Sequence, residues 1–241
     1  MFKSRQVKIL FQVFIAFTFT GFSMGESSRL LDGLSPYSSS AIQFEEAAFI
    51  KIKEIAEQKE NAEKQKRLQA QEAERKLQLR YEERVKDKIR QVIYNYRGRM
   101  SSERIQQIQK SILAESKIHD YDPLFLTALI ITESSFNSKA RSHKGALGLM
   151  QIIPRTGAAL ALEKKMQWQG NPTLYNPQTN IALGAYYLKK LHKRFGDLNL
   201  ALEAYNHGPT KLDKYLKRGY QPRRYSKKVL KIYEMIDFEP T

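Results

Sequence analysis

The 241-residue chain contains no cysteine. This excludes disulfides, thiolate metal sites, a cysteine nucleophile and a lipidated N-terminal cysteine, each of which needs the sulfur. Histidine is scarce too, and His119, His143, His192 and His207 show none of the paired spacing a helical zinc site uses. No metal and no cofactor is therefore expected. Acidic residues are short relative to basic ones: 25 Asp+Glu stand against 41 Lys+Arg, a formal net charge of +16. That balance suits a negatively charged surface, and nucleic acid, anionic lipid and an acidic cell-wall polymer satisfy it equally. Glycine and proline are absent between Tyr37 and Arg97, so nothing there interrupts a helix.

What is present at the N-terminus narrows the partners. Lys3, Arg5 and Lys8 precede an uncharged stretch rich in Phe and Ile, Ile9 to Phe22. At about 14 residues it is short of the roughly 20 a helix needs to cross a bilayer. Residues 1–25 therefore read as an export signal, with Ser23 and Gly25 as the small residues before Glu26. Left uncut, the same segment would be a membrane anchor. Either outcome places the chain in the periplasm or cell envelope and removes nucleic acid from the expected partners. Residues 26–43 are Ser-rich, carry Gly33 and Pro36, and read as a linker.

Residues 44–99 are dominated by Ala, Gln, Glu, Lys, Arg and Leu, the composition of a long charged helix. Glu60 and Lys64, Glu63 and Arg67, Glu72 and Lys76, and Glu82 and Lys86 are spaced i,i+4 with Glu first. Each such pair adds roughly 0.2–0.5 kcal/mol to an exposed helix. Apolar residues gather at the two ends, Phe49 to Ile55 and Leu77 to Tyr96, and the middle is too bare to sustain a heptad seam. Two readings follow: a coiled coil that self-associates or docks another protein, and a solvated spacer whose last turns pack on the next domain. The bare middle favours the spacer.

Residues 100–241 are punctuated as a bundle of short helices. Ile105, Ile108, Ile112 and Leu113 mark one amphipathic helix; Asp122-Pro123 opens a nearly all-apolar segment, Leu124 to Ile131, which must be buried. Asn176-Pro177 starts another that Gly196 ends, and shorter helices follow around Leu198–Asn206, Leu212–Leu216 and Val229–Ile236. With no sustained strand alternation, the fold class is all-α, and about 140 residues suffice for one core.

Chemistry concentrates where the buried helix ends. Glu133 follows Ala128-Leu129-Ile130-Ile131-Thr132, which puts a carboxyl group on the last turn of an apolar helix. Loss of water and the negative helix end both disfavour its charge, and a carboxyl that stays protonated near neutrality is what a general acid needs. Downstream stand Gly145-Ala146-Leu147-Gly148-Leu149-Met150-Gln151 and Ala204-Tyr205-Asn206-His207-Gly208-Pro209. Closely spaced glycines let a backbone approach a ligand, and Gln151 can offer an amide donor and acceptor.

Taken together, Glu133-Ser134, Gly148-Leu149-Met150-Gln151, the Asn180, Gly184, Tyr187, Leu188 set, Ala204-Tyr205-Asn206 with Gly208-Pro209, and Tyr225 resemble the soluble lytic transglycosylase family. The resemblance covers about Tyr121 to Val229. It implies a lysozyme-like helical catalytic domain that cleaves the β-1,4 bond between N-acetylmuramic acid and N-acetylglucosamine in peptidoglycan without water, leaving 1,6-anhydro ends. It implies Glu133 as the acid and base. Ser134, Gln151, Tyr205 and Asn206 would hold the sugar amides or the Glu, Met150 would floor the cleft, and Tyr225 would hydrogen-bond the Glu. Two positions depart from the family pattern: His207 replaces a small residue, and Gln221-Pro222 stands where Glu-Thr is usual. Asp197 and Glu203 lie between the matching blocks and read as a helix cap and an exposed helical residue. A single acid fits a substrate-assisted mechanism, an exception to the two-carboxylate rule of glycosidases. A muramidase-type hydrolase and a non-catalytic wall-binding scaffold acting through the long helix are the other readings. The expected partners are peptidoglycan strands, with anionic envelope polymers or the membrane surface drawn by charge.

Overall fold

The computed structural model describes residues 39–237. The expected signal at residues 1–25 and most of the expected linker lie outside the described residues. Helix α1 runs unbroken over Ser39–Tyr96, so residues 39–43, read as the end of the linker, are helical. Helical contacts divide the chain between Glu72 and Ala73 into two units. In the first, Phe44, Phe49, Ile50, Ile52, Ile55 and Leu68 are exposed. Lys53 meets Glu57 at 3.9 Å and Arg67 meets Glu63 at 4.0 Å, solvent-screened pairs of small individual worth.

The second unit is the helical domain, and the final turns of α1 are part of it. Val85, Ile89, Val92 and Ile93 fall on one face and are buried in the domain core, as the spacer reading expected of its last turns. Helix α2, Ser102–His119, starts at Ser101, whose side chain accepts the Arg104 N–H. Helix α3, Pro123–Ser134, starts at Asp122, whose carboxylate accepts the N–H groups of Leu124 and Phe125. All eight residues from Leu124 to Ile131 are buried, so α3 is the central helix. Helix α4 spans Pro154–Glu163, a 3₁₀ turn spans Asn171–Tyr175, and α5 spans Pro177–Phe195 with Asn176 capping its start. Helices α6, Leu198–His207, α7, Pro209–Lys217, and α8, Arg224–Asp237, complete the domain.

Helix α3 packs on α2 and α8, and α6 packs on α5 and α8. That arrangement brings the end of α3, the end of α6 and the start of α8 into one region. Two isolated bridges, Arg141 to Leu147 and Leu147 to Ile152, tie the loop between α3 and α4 into a compact turn. With no strand among the described residues, the domain is all-α as the punctuation implied.

Candidate active site

Glu133 sits on the last turn of α3, and the chain leaves that turn abruptly. Ser135 and Phe136 take φ of 47° and 61°, a left-handed conformation that side chains disfavour. Three contacts hold it there. Phe136 is fully buried, Tyr96 of α1 packs edge-on against its ring at 6.3 Å, and Arg97 Nε donates to Ser135 O at 3.0 Å. Strain of this kind persists only where surrounding packing over-determines it. Here it turns the backbone away and leaves the Glu133 side chain half-buried at the helix end.

The Glu133 carboxyl accepts a hydrogen bond from the Tyr225 hydroxyl on α8. Burial, which strips water from the charged form, pushes its pKa up to about 7; the Tyr225 hydrogen bond and the positive charge of Lys228 pull the other way without cancelling it. Of the two effects anticipated from sequence, loss of water is the leading one. At neutral pH the group is therefore divided between acid and carboxylate, able to give a proton and to take one. Burial, reinforced by the Glu133 charge, holds the Tyr205 and Tyr225 hydroxyls well above the usual phenol range, so both remain donors.

The Gly148–Gln151 segment is tied to the end of α3 because polar side chains fix its main chain. Ser134 Oγ donates to Leu149 O at 2.7 Å, and Tyr205 OH donates to Met150 O at 2.8 Å. From α5, the buried Asn180 accepts Met150 N–H at 2.7 Å and donates to Leu147 O at 3.0 Å and Leu174 O at 2.8 Å. One amide thus satisfies three main-chain groups that have no access to water. Gly148 has φ 79°, and a Cβ there would stand 2.2 Å from Leu174 O. Gly184 on α5 has no room either: its Cβ would fall 2.4 Å from Met150 Sδ.

The expected site residues fall into three groups. Glu133 and Tyr225 are bonded directly. Ser134 and Tyr205 reach the same loop from α3 and α6, with Gln151, whose Nε2 donates to Gly148 O at 2.8 Å, bracing it from within. The Met150 side chain is fully buried beneath that loop against Gly184, while Asn206 is exposed on the last turn of α6. Tyr187 packs on the Tyr205 ring at 5.3 Å, a core contact. His207 meets the edge of Tyr215, its Nε2 3.4 Å from Glu203 Oε2.

Two residues took on more than their sequence implied. Asp197 caps α6 as expected, accepting Leu200 N–H at 2.8 Å, but the reading of Glu203 as exposed is corrected: it is fully buried. Its Oε1 accepts both the N–H and the hydroxyl of Ser226, at 2.8 and 3.0 Å. The signal for this burial was its place between Leu202 and Ala204 in the run Leu200 to Tyr205. Asn180 was noted within its block without a role; its signal was a polar residue on the inward stripe of α5, four residues before Gly184.

A half-buried carboxyl with a pKa of about 7, bonded by a tyrosine at the end of a buried helix, can both give and take a proton at neutral pH. Residues 110–227, just under half of the chain, match the family model described as "Transglycosylase SLT domain". Among curated relatives, the "Transglycosylase" of Enterobacteria phage PRD1 is 36% identical over 51% of this chain and 41% of its own length. The "Putative soluble lytic murein transglycosylase" of Haemophilus influenzae is 34% identical over 39% of this chain and 16% of its own. The crystal structure of the 70 kDa soluble lytic transglycosylase of Escherichia coli aligns with a TM-score of 0.48 and 26% identity, covering 54% of this chain and 24% of that one. The matched stretch thus spans under half of each of these proteins.

Proposed function

We propose that the chain is a peptidoglycan lytic transglycosylase with Glu133 as its only acid and base. The observation that carries this reading is the Glu133 carboxyl, whose pKa of about 7 keeps both of its forms available at neutral pH. The names of the relatives supply the substrate class.

In the proposed reaction, protonated Glu133 gives its proton to the oxygen joining N-acetylmuramic acid to N-acetylglucosamine. The bond from the anomeric carbon to that oxygen breaks, and the electron pair leaves with the oxygen. The carbonyl oxygen of the substrate's own acetamido group closes on the anomeric carbon, in the manner of substrate-assisted glycosidases. Glu133, now a carboxylate, takes the proton of the muramic acid 6-hydroxyl. That oxygen then displaces the acetamido oxygen and closes the 1,6-anhydro ring. The proton is back on Glu133 and no water has been consumed. Tyr225, as a standing donor, steadies the carboxylate stage, while Ser134, Tyr205 and Asn180 hold the Leu149–Met150 main chain beside it.

The basic excess belongs to the same reading. From residue 100 onward the chain has 22 basic residues against 12 acidic, and a groove lined by Arg97, Arg99 and Lys139 runs beside the turn that follows Glu133. These charges would favour carboxylate-bearing peptide stems and anionic envelope polymers. Export would depend on residues 1–25; no helix among the described residues is long and apolar enough to cross a membrane. Helix α1 then serves as a spacer between that segment and the domain, with self-association or docking of a partner through its exposed apolar residues as its further use. Replacing Glu133 with Gln tests the assignment: the variant should fold as the parent does and lose cleavage of purified cell wall by at least about a thousandfold. Cleavage close to the parental rate would contradict it.

A further inference from the structure

We propose that Glu203 is a positioning residue for the acid: by anchoring the first turn of α8 it holds the Tyr225 hydroxyl on the Glu133 carboxyl. The inference rests on the reading of Glu133 given above.

Glu203 is fully buried among Ala201, Leu202 and Ala204 of α6, where an unpaired carboxylate would be costly. Its partner is specific. Ser226 is the third residue of α8, so its N–H is one of those a helix start leaves without an intrahelical acceptor. A carboxylate placed there satisfies that N–H and suits the positive end of the helix. Glu203 Oε1 accepts the Ser226 N–H at 2.8 Å and the Ser226 hydroxyl at 3.0 Å, and that hydroxyl also lies 3.3 Å from Arg223 O. Ser226 is itself 1% exposed, so solvent offers no substitute for this anchor.

The residue before Ser226 is Tyr225. The start of α8 therefore has two ties in sequence: Tyr225 to α3 through Glu133, and Ser226 to α6 through Glu203. Moving one by a fraction of an ångström moves the other. Glu203 Oε2 faces His207 Nε2 one turn along α6 at 3.4 Å, and His207 is in turn met edge-on by Tyr215. The ionisable groups around Glu203 are thus His207 and Tyr225; those around Glu133 are Tyr225 and Lys228 of α8 and Tyr205 of α6.

The test uses the full chain carrying ¹³C-labelled glutamate. The Glu133 carboxyl resonance, identified by its loss in Glu133→Gln, is titrated by NMR, and the pH profile of wall cleavage is measured alongside. Tyr225→Phe removes a donor that favours the charged form, so the Glu133 midpoint should rise by about 0.5–1 unit. Glu203→Asp keeps the charge but falls short of Ser226, and should raise the midpoint in the same direction. Glu203→Gln keeps an acceptor in reach of Ser226 and should leave the midpoint in place. In cleavage, Glu203→Asp should lower kcat and move the alkaline limb upward with KM unchanged.

A folded Glu203→Asp chain with an unmoved midpoint would overturn the proposal, and a shift confined to Glu203→Gln would show that charge acts and not the anchor. Should Glu203→Asp fail to fold, Ser226→Ala removes the hydroxyl alone: a smaller shift in the same direction supports the proposal and an unmoved midpoint overturns it. A parent chain that leaves cell wall uncut while its Glu133 midpoint moves as described would instead overturn the function and leave the positioning role standing.

Discussion

A carboxyl whose pKa is about 7 in the fold, against 4.5 when free, makes native stability depend on pH. Below about pH 4.5 both folded and unfolded chains hold the proton, and Glu133 costs nothing. Between the two values the unfolded chain ionises while the folded chain does not, so stability falls as pH rises and levels out above about 7. Glu133→Gln has no charge to lose. The variant should match the parent in urea denaturation at pH 4 and exceed it by up to roughly 3 kcal/mol at pH 8, an upper bound because the carboxyl is partly exposed. Equal stability at both pH values would mean that the burial seen here does not perturb the group. The raised pKa of Glu133 was legible from sequence because a carboxyl on the last turn of an apolar run loses water. Glu203 was not, since a Glu within a helix is exposed far more often than buried, and only the approach of Ser226 from α8 makes its burial tolerable.

At the scale of elements, the site is a loop held by helices. Asn180 ties Leu147, Met150 and Leu174 at once, so Asn180→Ala would leave buried main-chain groups unpaired and should cost about 2–4 kcal/mol, read from urea denaturation. Gly184→Ala should also destabilise, by about 1–3 kcal/mol, because the added methyl would displace Met150 and with it the loop that Tyr205 and Ser134 grip. Helix starts were readable in advance at Asp122-Pro123, Asn176-Pro177 and Asp197, whose side chains all accept N–H groups of the turn they begin. The loop from Ser135 to Ile152 was not readable. Its course depends on left-handed Ser135 and Phe136, and on acceptors and donors from Arg97, α5 and α6 that are distant in sequence. Of its glycines, Gly148 marks where the backbone comes close, and what it approaches is Leu174 O and the Asn180 amide of this chain itself.

For the molecule as a whole, the end of the charged helix belongs to the helical domain. Val85, Ile89, Val92 and Ile93 are in its core, and Arg97 braces the turn after Glu133. A chain beginning at Ala73 should therefore unfold cooperatively in the same urea range as the full chain, whereas one beginning at Met100 lacks four buried side chains and should not reach a stable fold, each such loss being worth about 2–5 kcal/mol. The all-α class and the apolar late turns of the long helix were both legible in the sequence; which atoms they would cover was not. The basic excess on the domain should make attachment to cell wall weaken as salt rises from low to physiological levels. In the proposed reaction Glu133 cuts the glycan by acting first as acid and then as base, with the muramic acid 6-hydroxyl as acceptor. Mass spectrometry of the muropeptides released from purified peptidoglycan decides it: 1,6-anhydromuramic acid ends that disappear with Glu133→Gln are expected, and reducing ends in their place would contradict the proposed reaction and assign the site to hydrolysis.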